Sequence, residues 1–157
     1  TAGRTPGALC RAKVAALSLV IAPAVACQNL ALVGWARLAG VAVPLDAGPW
    51  ALYTAELIAV DLAVCAFHVW LAAVRENQLI GVGVGLLGSF VAVYMLLAPS
   101  WVARLVPWGY YATICCVQQR ETDVQYAAPP LGWVAAFLVL AALLFTVATR
   151  RLDRIER

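Results

Sequence analysis

Apolar residues along the chain fall into four long blocks, near residues 14–37, 50–74, 79–98 and 131–149. Each block is close to the roughly 20 residues that a helix needs to cross a hydrocarbon core of about 30 Å. Lipid offers no partner to backbone N–H and C=O groups, and the blocks lack the alternating pattern of barrel strands, so each is predicted to be a helix. The pattern therefore predicts an all-α, polytopic membrane helix bundle with four transmembrane helices.

The polar stretch RENQ, residues 75–78, separates the second block from the third. One helix running from residue 50 to residue 98 would be about 70 Å long at roughly 1.5 Å per residue, more than twice the thickness of the membrane core. RENQ is therefore predicted to be a turn at the membrane surface.

The segment between the last two blocks, residues 99–130, is neither a short turn nor a soluble domain. Four prolines divide it, and it carries many aromatic residues of the kind that favour a membrane interface. It is predicted to form one or two short helices in an external cap, which can re-enter the membrane only where protein covers its backbone. The whole chain, 1–157, is then a single transmembrane domain with a cytoplasmic tail at 150–157.

Composition and charge agree with a membrane protein. The 157 residues are 64% hydrophobic and 12% charged, which is more apolar surface than a soluble domain of this length buries. Because cytoplasmic flanks hold the excess of Lys and Arg, the basic residues also predict orientation. With four crossings, one side carries Arg4, Arg11, Lys13, Arg75, Arg150, Arg151, Arg154 and Arg157, against Arg37, Arg104 and Arg120 on the other. Both ends are predicted to be cytoplasmic in a multi-pass protein of the cell membrane, with no nucleic-acid partner.

Three ionisable residues lie inside the second block: Glu56, Asp61 and His68. A charge there costs at least a few kcal/mol, so each side chain should face protein, water or a partner rather than lipid. Asp61 and His68 fall on one helix face, whereas Glu56 points elsewhere and is close enough to the outer end to reach the interface. The shared face either lines a substrate path or proton relay, or bonds across to Gln28 and Asn29 of the first block.

The third block carries small residues at helical spacing. Gly81, Gly85 and Gly88, with Ser89 beside them, form a stripe where another helix can approach closely. Gly83, Gly85 and Gly88 also spell G-x-G-x-x-G, but that fingerprint needs a βαβ unit, and a membrane helix does not provide one.

The sequence shows no group of residues typical of a catalytic or metal site. The five cysteines and one histidine show no metal-ligand spacing, and no nucleophile, base and orienting residue occur together. We therefore expect no metal site, no catalytic residue and no cofactor bound by this chain itself.

The order of features resembles the permease subunits of ABC-2-type ABC transporters, especially the bacterial group associated with lantibiotic or bacteriocin export and immunity. The resemblance rests on HVWLAAVRENQLIGVGVGLLGSF (68–90), LLAPSWVARLVPWGYY (96–111) and the closing span with ATRRLDRIER. Such permeases have six helices with an external helical element between the last two. The four blocks would then be helices three to six of an N-terminally truncated fragment.

The resemblance implies a division of labour between subunits. The chain lacks the G-x-x-x-x-G-K-[ST] phosphate loop, so ATP and Mg²⁺ would be held by a separate ABC ATPase subunit. Arg4, Arg11 and Lys13 are its candidate contacts, and a second or related permease copy would complete a path for a peptide, lipid-like or drug-like substrate. The alternatives are a non-transporting membrane scaffold or immunity protein that binds a partner in the bilayer, and a small proton-transfer or redox enzyme that uses Asp61 or His68.

Overall fold

A computed structural model describes residues 5–40, 46–120 and 123–155, with side chains at all of these except 118–120, 123, 124 and 155. In chain order the elements are α1 (Pro6–Leu38), α2 (Ala47–Val74), α3 (Gln78–Met95), α4 (Ser100–Ala103), a 3₁₀ turn (Pro107–Gly109), α5 (Tyr110–Thr113), β1 (Val117–Arg120), β2 (Asp123–Tyr126) and α6 (Leu131–Ile155). Helices α1, α2, α3 and α6 are long and apolar enough to cross a membrane. The predicted fold class, a helical membrane bundle, is confirmed.

The polar stretch at residues 75–78 ends one helix and begins the next. Helix α2 stops at Val74, and the Asn77 side chain accepts the Leu79 N–H at 2.9 Å as the N-cap of α3. Asp46 caps α2 in the same way by accepting the N–H of Gly48 at 3.0 Å. These side chains satisfy backbone donors that a helix start leaves without an intrahelical partner, so the polar residues set the helix boundaries.

Two helix ends lie beyond the apolar blocks. Helix α1 begins at Pro6, ahead of the block near 14–37, because Thr5 caps it and proline suits the first turn. Helix α6 continues as far as Ile155, through most of the segment expected to be a tail.

The beginning of α1 packs against the end of α6. The Gly7 N–H donates to Asp153 Oδ1 at 2.8 Å, and the Arg11 guanidinium lies 3.4 Å from Asp153 Oδ2. A Cβ on Gly7 would overlap the carbonyl oxygen of Thr149, so glycine permits this close approach. The end of the bundle that holds Pro6, residues 75–77 and Ile155 is called the terminal end here, and the opposite one the hairpin end.

Residues 96–116 turn back into the bundle from the hairpin end, and we call them the re-entrant segment. Its deepest part is the 3₁₀ turn at Pro107–Gly109, where Trp108 lies beside His68 of α2 and Gly88 of α3. Short helical turns satisfy much of its backbone internally, through bonds such as Ile114 N–H to Tyr110 C=O at 2.9 Å. Non-helical backbone is tolerated at membrane depth only when protein surrounds it, and here α2, α3 and α6 all pack against the segment.

The segment leaves the bundle through a two-stranded antiparallel hairpin, β1 with β2, in which Val117 pairs with Tyr126. The Tyr126 hydroxyl accepts the backbone N–H of Asp46 at 3.1 Å, which attaches the hairpin to the start of α2. The sequence pattern had indicated only helices in residues 99–130, so the hairpin is an addition to the expected cap.

The buried core joins α2, α5 and α6. Val60, Tyr110, Ile114 and Val134 are its most buried members, and the Tyr110 ring stacks on Phe137 with centroids 4.1 Å apart. Helices α1, α2 and α6 also pack on one another, whereas α3 packs mainly on α2 and the re-entrant segment. The re-entrant segment therefore links α3 to the rest of the bundle.

Gly109 provides a test of the re-entrant packing. A Cβ there would overlap the backbone of Ala103, the opposite limb of the segment. We expect Gly109→Ala to lower the free energy of unfolding by about 1–3 kcal/mol, because backbone cannot move aside as a side chain can. The control is Gly83→Ala, whose Cβ meets nothing within 4 Å and should be neutral or stabilising. SDS titration in mixed micelles measures both, and equal stability of the two variants would contradict the packing.

Candidate functional site

A stripe of polar side chains runs along α2 where the helix faces other elements. Thr54, Asp61 and His68 follow at seven-residue intervals, so they lie on one face of the helix. We call these three residues the α2 polar stripe. Each of them contacts a different neighbour: Thr54 bonds Asn29, Asp61 bonds Tyr111 and His68 meets Trp108.

Asp61 occupies the middle of the stripe, halfway along the 28-residue helix α2. The Tyr111 hydroxyl of the re-entrant segment donates to Asp61 Oδ1 at 2.6 Å. That distance is in the range of roughly 2.5–2.7 Å typical of hydroxyl bonds to a carboxylate, which are among the stronger hydrogen bonds in proteins. The bond therefore anchors the re-entrant segment at the depth of the bundle centre.

His68 lies nearer the terminal end and faces the deepest part of the re-entrant segment. Its ring meets Trp108 edge-on with centroids 6.2 Å apart, and Phe67 meets the same indole at 5.9 Å. Asp61 and His68 thus share a face as their spacing predicted. Both contact the re-entrant segment, and not Gln28 or Asn29, which one of the two alternatives gave as their partners.

Asn29 makes a separate interhelical contact nearer the hairpin end. Its side-chain amide donates to Thr54 Oγ1 at 2.8 Å, and Thr54 in turn donates to the Trp50 carbonyl at 2.8 Å. Gln28, the neighbouring candidate, is exposed on the surface of α1. Sequence reasoning did not single out Thr54, although its seven-residue spacing from Asp61 is a signal that would have found it.

Glu56 is buried, which corrects the expectation that it reaches the interface. Its side chain is only 5% exposed, and among the described residues Oε1 has no hydrogen-bond partner. The re-entrant segment and the core cluster around Val60 cover this part of α2. Helix spacing alone does not reveal such a cover, because the covering residues come from a distant part of the chain.

The small residues of α3 accept side chains rather than a helix backbone. A Cβ at Gly85 would contact the His68 ring at 3.4 Å, and one at Gly88 would overlap the indole of Trp108. Gly81 has open space around it, and the exposed Ser89 donates to the Gly85 carbonyl at 3.0 Å. Two of the three stripe glycines therefore make room for the histidine and tryptophan rings described above.

The basic candidates lie at or near the terminal end. Lys13 is exposed, and Arg11 is half exposed and paired with Asp153. Arg4 lies outside the described residues.

The described residues of this site make polar contacts and pack against one another. Among residues 5–40, 46–120 and 123–155, no three His, Cys, Asp or Glu side chains come together as a metal site. The polar contacts described above therefore hold the helices and the re-entrant segment in register.

The Tyr111–Asp61 bond predicts energetic coupling across the re-entrant packing. Tyr111→Phe leaves the carboxylate without its donor, so we expect a loss of about 1–3 kcal/mol in the free energy of unfolding. In a double-mutant cycle with Asp61→Asn, the coupling should be about 0.5–3 kcal/mol. Tyr94→Phe is the matched control, since Tyr94 is 68% exposed on α3. Additive effects of the two substitutions would show that the bond adds no stability.

Comparison with known proteins does not assign this chain to a family. The chain matches no protein-family model, and no curated protein or solved structure is similar to it. The function of this membrane bundle is therefore inferred from its own residues.

Proposed function

We propose that the chain is the membrane-spanning permease subunit of an ATP-driven transporter of the ABC-2 type. The observation that carries the proposal is the helical re-entrant segment between the last two long helices, held at the bundle centre by Tyr111 and Asp61. A helical element at this place in the chain is what the resemblance of residues 68–90 and 96–111 implies. The proposal makes the protein a transporter subunit and not an enzyme in its own right.

ATP hydrolysis would belong to a separate subunit at the terminal end. The chain has no phosphate-loop motif with which to hold a nucleotide. The terminal end carries described basic residues, including the exposed Lys13, Arg75 and Arg150. By the positive-inside rule this end is cytoplasmic, where an ATPase would have access to it.

The packing of the re-entrant segment suits a bundle that changes between two arrangements. Two cavities, of about 440 and 580 Å³, are partly lined by it and share Arg104. Space beside a packed segment gives it somewhere to move, and ATPase closure would bias one arrangement over the other. A peptide, lipid-like or drug-like substrate would then follow the α2 polar stripe and the small residues of α3.

A second permease copy would cover surfaces that a lone bundle leaves open. Gln28 is exposed on the apolar surface of α1, and polar side chains at such positions usually face a partner or water. Gly81 and Gly83 of α3 have nothing within 4 Å of an added Cβ, so another helix can approach them closely. These surfaces equally suit the alternative, a scaffold or immunity protein that binds a partner in the bilayer without transport.

Association with an ATPase tests the proposal. The affinity-tagged protein, purified in mild detergent from its source membranes, should retain a phosphate-loop ATPase whose hydrolysis is measurable. Lys13→Glu should lower the retained ATPase by at least about tenfold, because reversing a contact charge juxtaposes like charges. Arg37→Glu, an exposed charge at the hairpin end, should leave retention unchanged.

Three outcomes are informative. If no phosphate-loop ATPase is retained by the wild-type protein, the transporter proposal fails. If an ATPase is retained but function survives its inactivation, the scaffold alternative holds. Equal loss with Lys13→Glu and Arg37→Glu would remove the terminal end as the contact surface.

A further inference from the structure

Two cavities of different character meet at Arg104. The outer chamber, about 440 Å³, lies at the hairpin end between the end of α3 and the limbs of the re-entrant segment, and its lining is mainly polar. The apolar groove, about 580 Å³, lies between α2, the re-entrant segment and α6. Arg104 lines both cavities, so a single cation borders a polar space and an apolar one.

The apolar groove opens on the surface of the bundle. Phe67 and Trp70 form the wall of the groove on α2. Residues spaced along α6 from 133 to 148 form the opposite wall. That length of helix is about 22 Å at roughly 1.5 Å per residue, which exceeds half of the roughly 30 Å hydrocarbon core. Leu140 and Leu144 on its edge are 56% and 61% exposed, so the surrounding lipid has access to the groove.

Arg104 lacks a counter-charge within the described bundle. Its guanidinium carbon lies 4.9 Å from the centre of the Trp133 ring, and its Nε is buried with no hydrogen-bond partner. The one ion pair among the described side chains joins Arg11 to Asp153 at the terminal end of the bundle, so it does not involve Arg104. A partly buried guanidinium in a membrane protein is costly unless an anion pairs with it, and phosphate matches its donor geometry.

We propose that the apolar groove and Arg104 form a binding site for an anionic phospholipid of the leaflet at the hairpin end. The phosphate pairs with Arg104 at the mouth of the outer chamber, and one acyl chain lies in the groove along α6. The volume of the apolar groove, about 580 Å³, falls within the roughly 300–1,000 Å³ of ordinary small-molecule sites. The site goes beyond the proposed transport function, since it requires neither an ATPase nor a transported substrate.

Lipid retention by the purified protein tests the site. The protein is equilibrated in detergent with equal amounts of dioleoylphosphatidylglycerol and dioleoylphosphatidylcholine, and retained lipids are counted by native mass spectrometry. We expect a preference for the anionic lipid of roughly fivefold, the ratio that one Lys or Arg contact with anionic lipid provides. Arg104→Gln should bring the ratio close to one, whereas Arg37→Gln, an exposed cation at the same end, should not change it.

The acyl-chain part of the site is tested by filling the groove. Ala141→Phe on α6 should lower the retention of both lipids, and Ala66→Leu on the α2 wall repeats the test should the first variant fold poorly. Circular dichroism confirms the fold of each variant.

Two results would overturn the proposal. Retention of the full anionic preference in Arg104→Gln, or its equal loss in Arg37→Gln, would place the headgroup contact elsewhere. Unchanged lipid retention in the groove-filled variants, with a dimer mass that is present for the wild-type protein and lost from these variants, would assign the groove to a second copy of the chain.

Discussion

The hydrogen bond between Tyr111 and Asp61 determines how deeply residues 96–116 enter the bundle, and much of the internal packing depends on that depth. With Tyr111 at the middle of α2, the preceding turn brings Trp108 against His68 and Gly88. The following residues bring Tyr110 and Ile114 into the core with α6. A polar anchor of this kind is effective in lipid because the bonded groups find no water there to replace their partner.

Polar groups inside the bundle fall into paired and unpaired sets. Asn29, Thr54, Asp61 and Tyr111 satisfy one another across helices, and these contacts hold the elements in register. Glu56 Oε1 and Arg104 Nε are buried without a partner among the described residues. Buried unpaired groups are uncommon in proteins, and in membrane proteins ionisable ones often belong to binding sites or transport paths. Of these two unpaired residues, Arg104 is the one that lines both cavities.

The sequence predicted the features that depend on local pattern. Hydropathy located the four long helices, RENQ marked the turn between α2 and α3, and helical spacing placed Asp61 and His68 on one face. It did not identify Tyr111 as the partner of Asp61, because 50 residues separate them and no local pattern encodes the contact. The β1–β2 hairpin was missed because two four-residue strands leave almost no periodic signal. Burial of Glu56 was missed for the same reason as the Tyr111 contact.

Helix α3 has a distinct mechanical position in this architecture. Helices α1, α2 and α6 contact one another and form a three-helix body, which the Gly7–Asp153 contact closes at one end. The re-entrant segment joins α3 to this body, since it contacts α3 on one side and is fixed to α2 by the Tyr111–Asp61 bond and to α6 by the core around Tyr110 and Ile114. Because α3 depends on this segment for most of its contacts, loosening the segment would release α3 while the three-helix body kept its own packing.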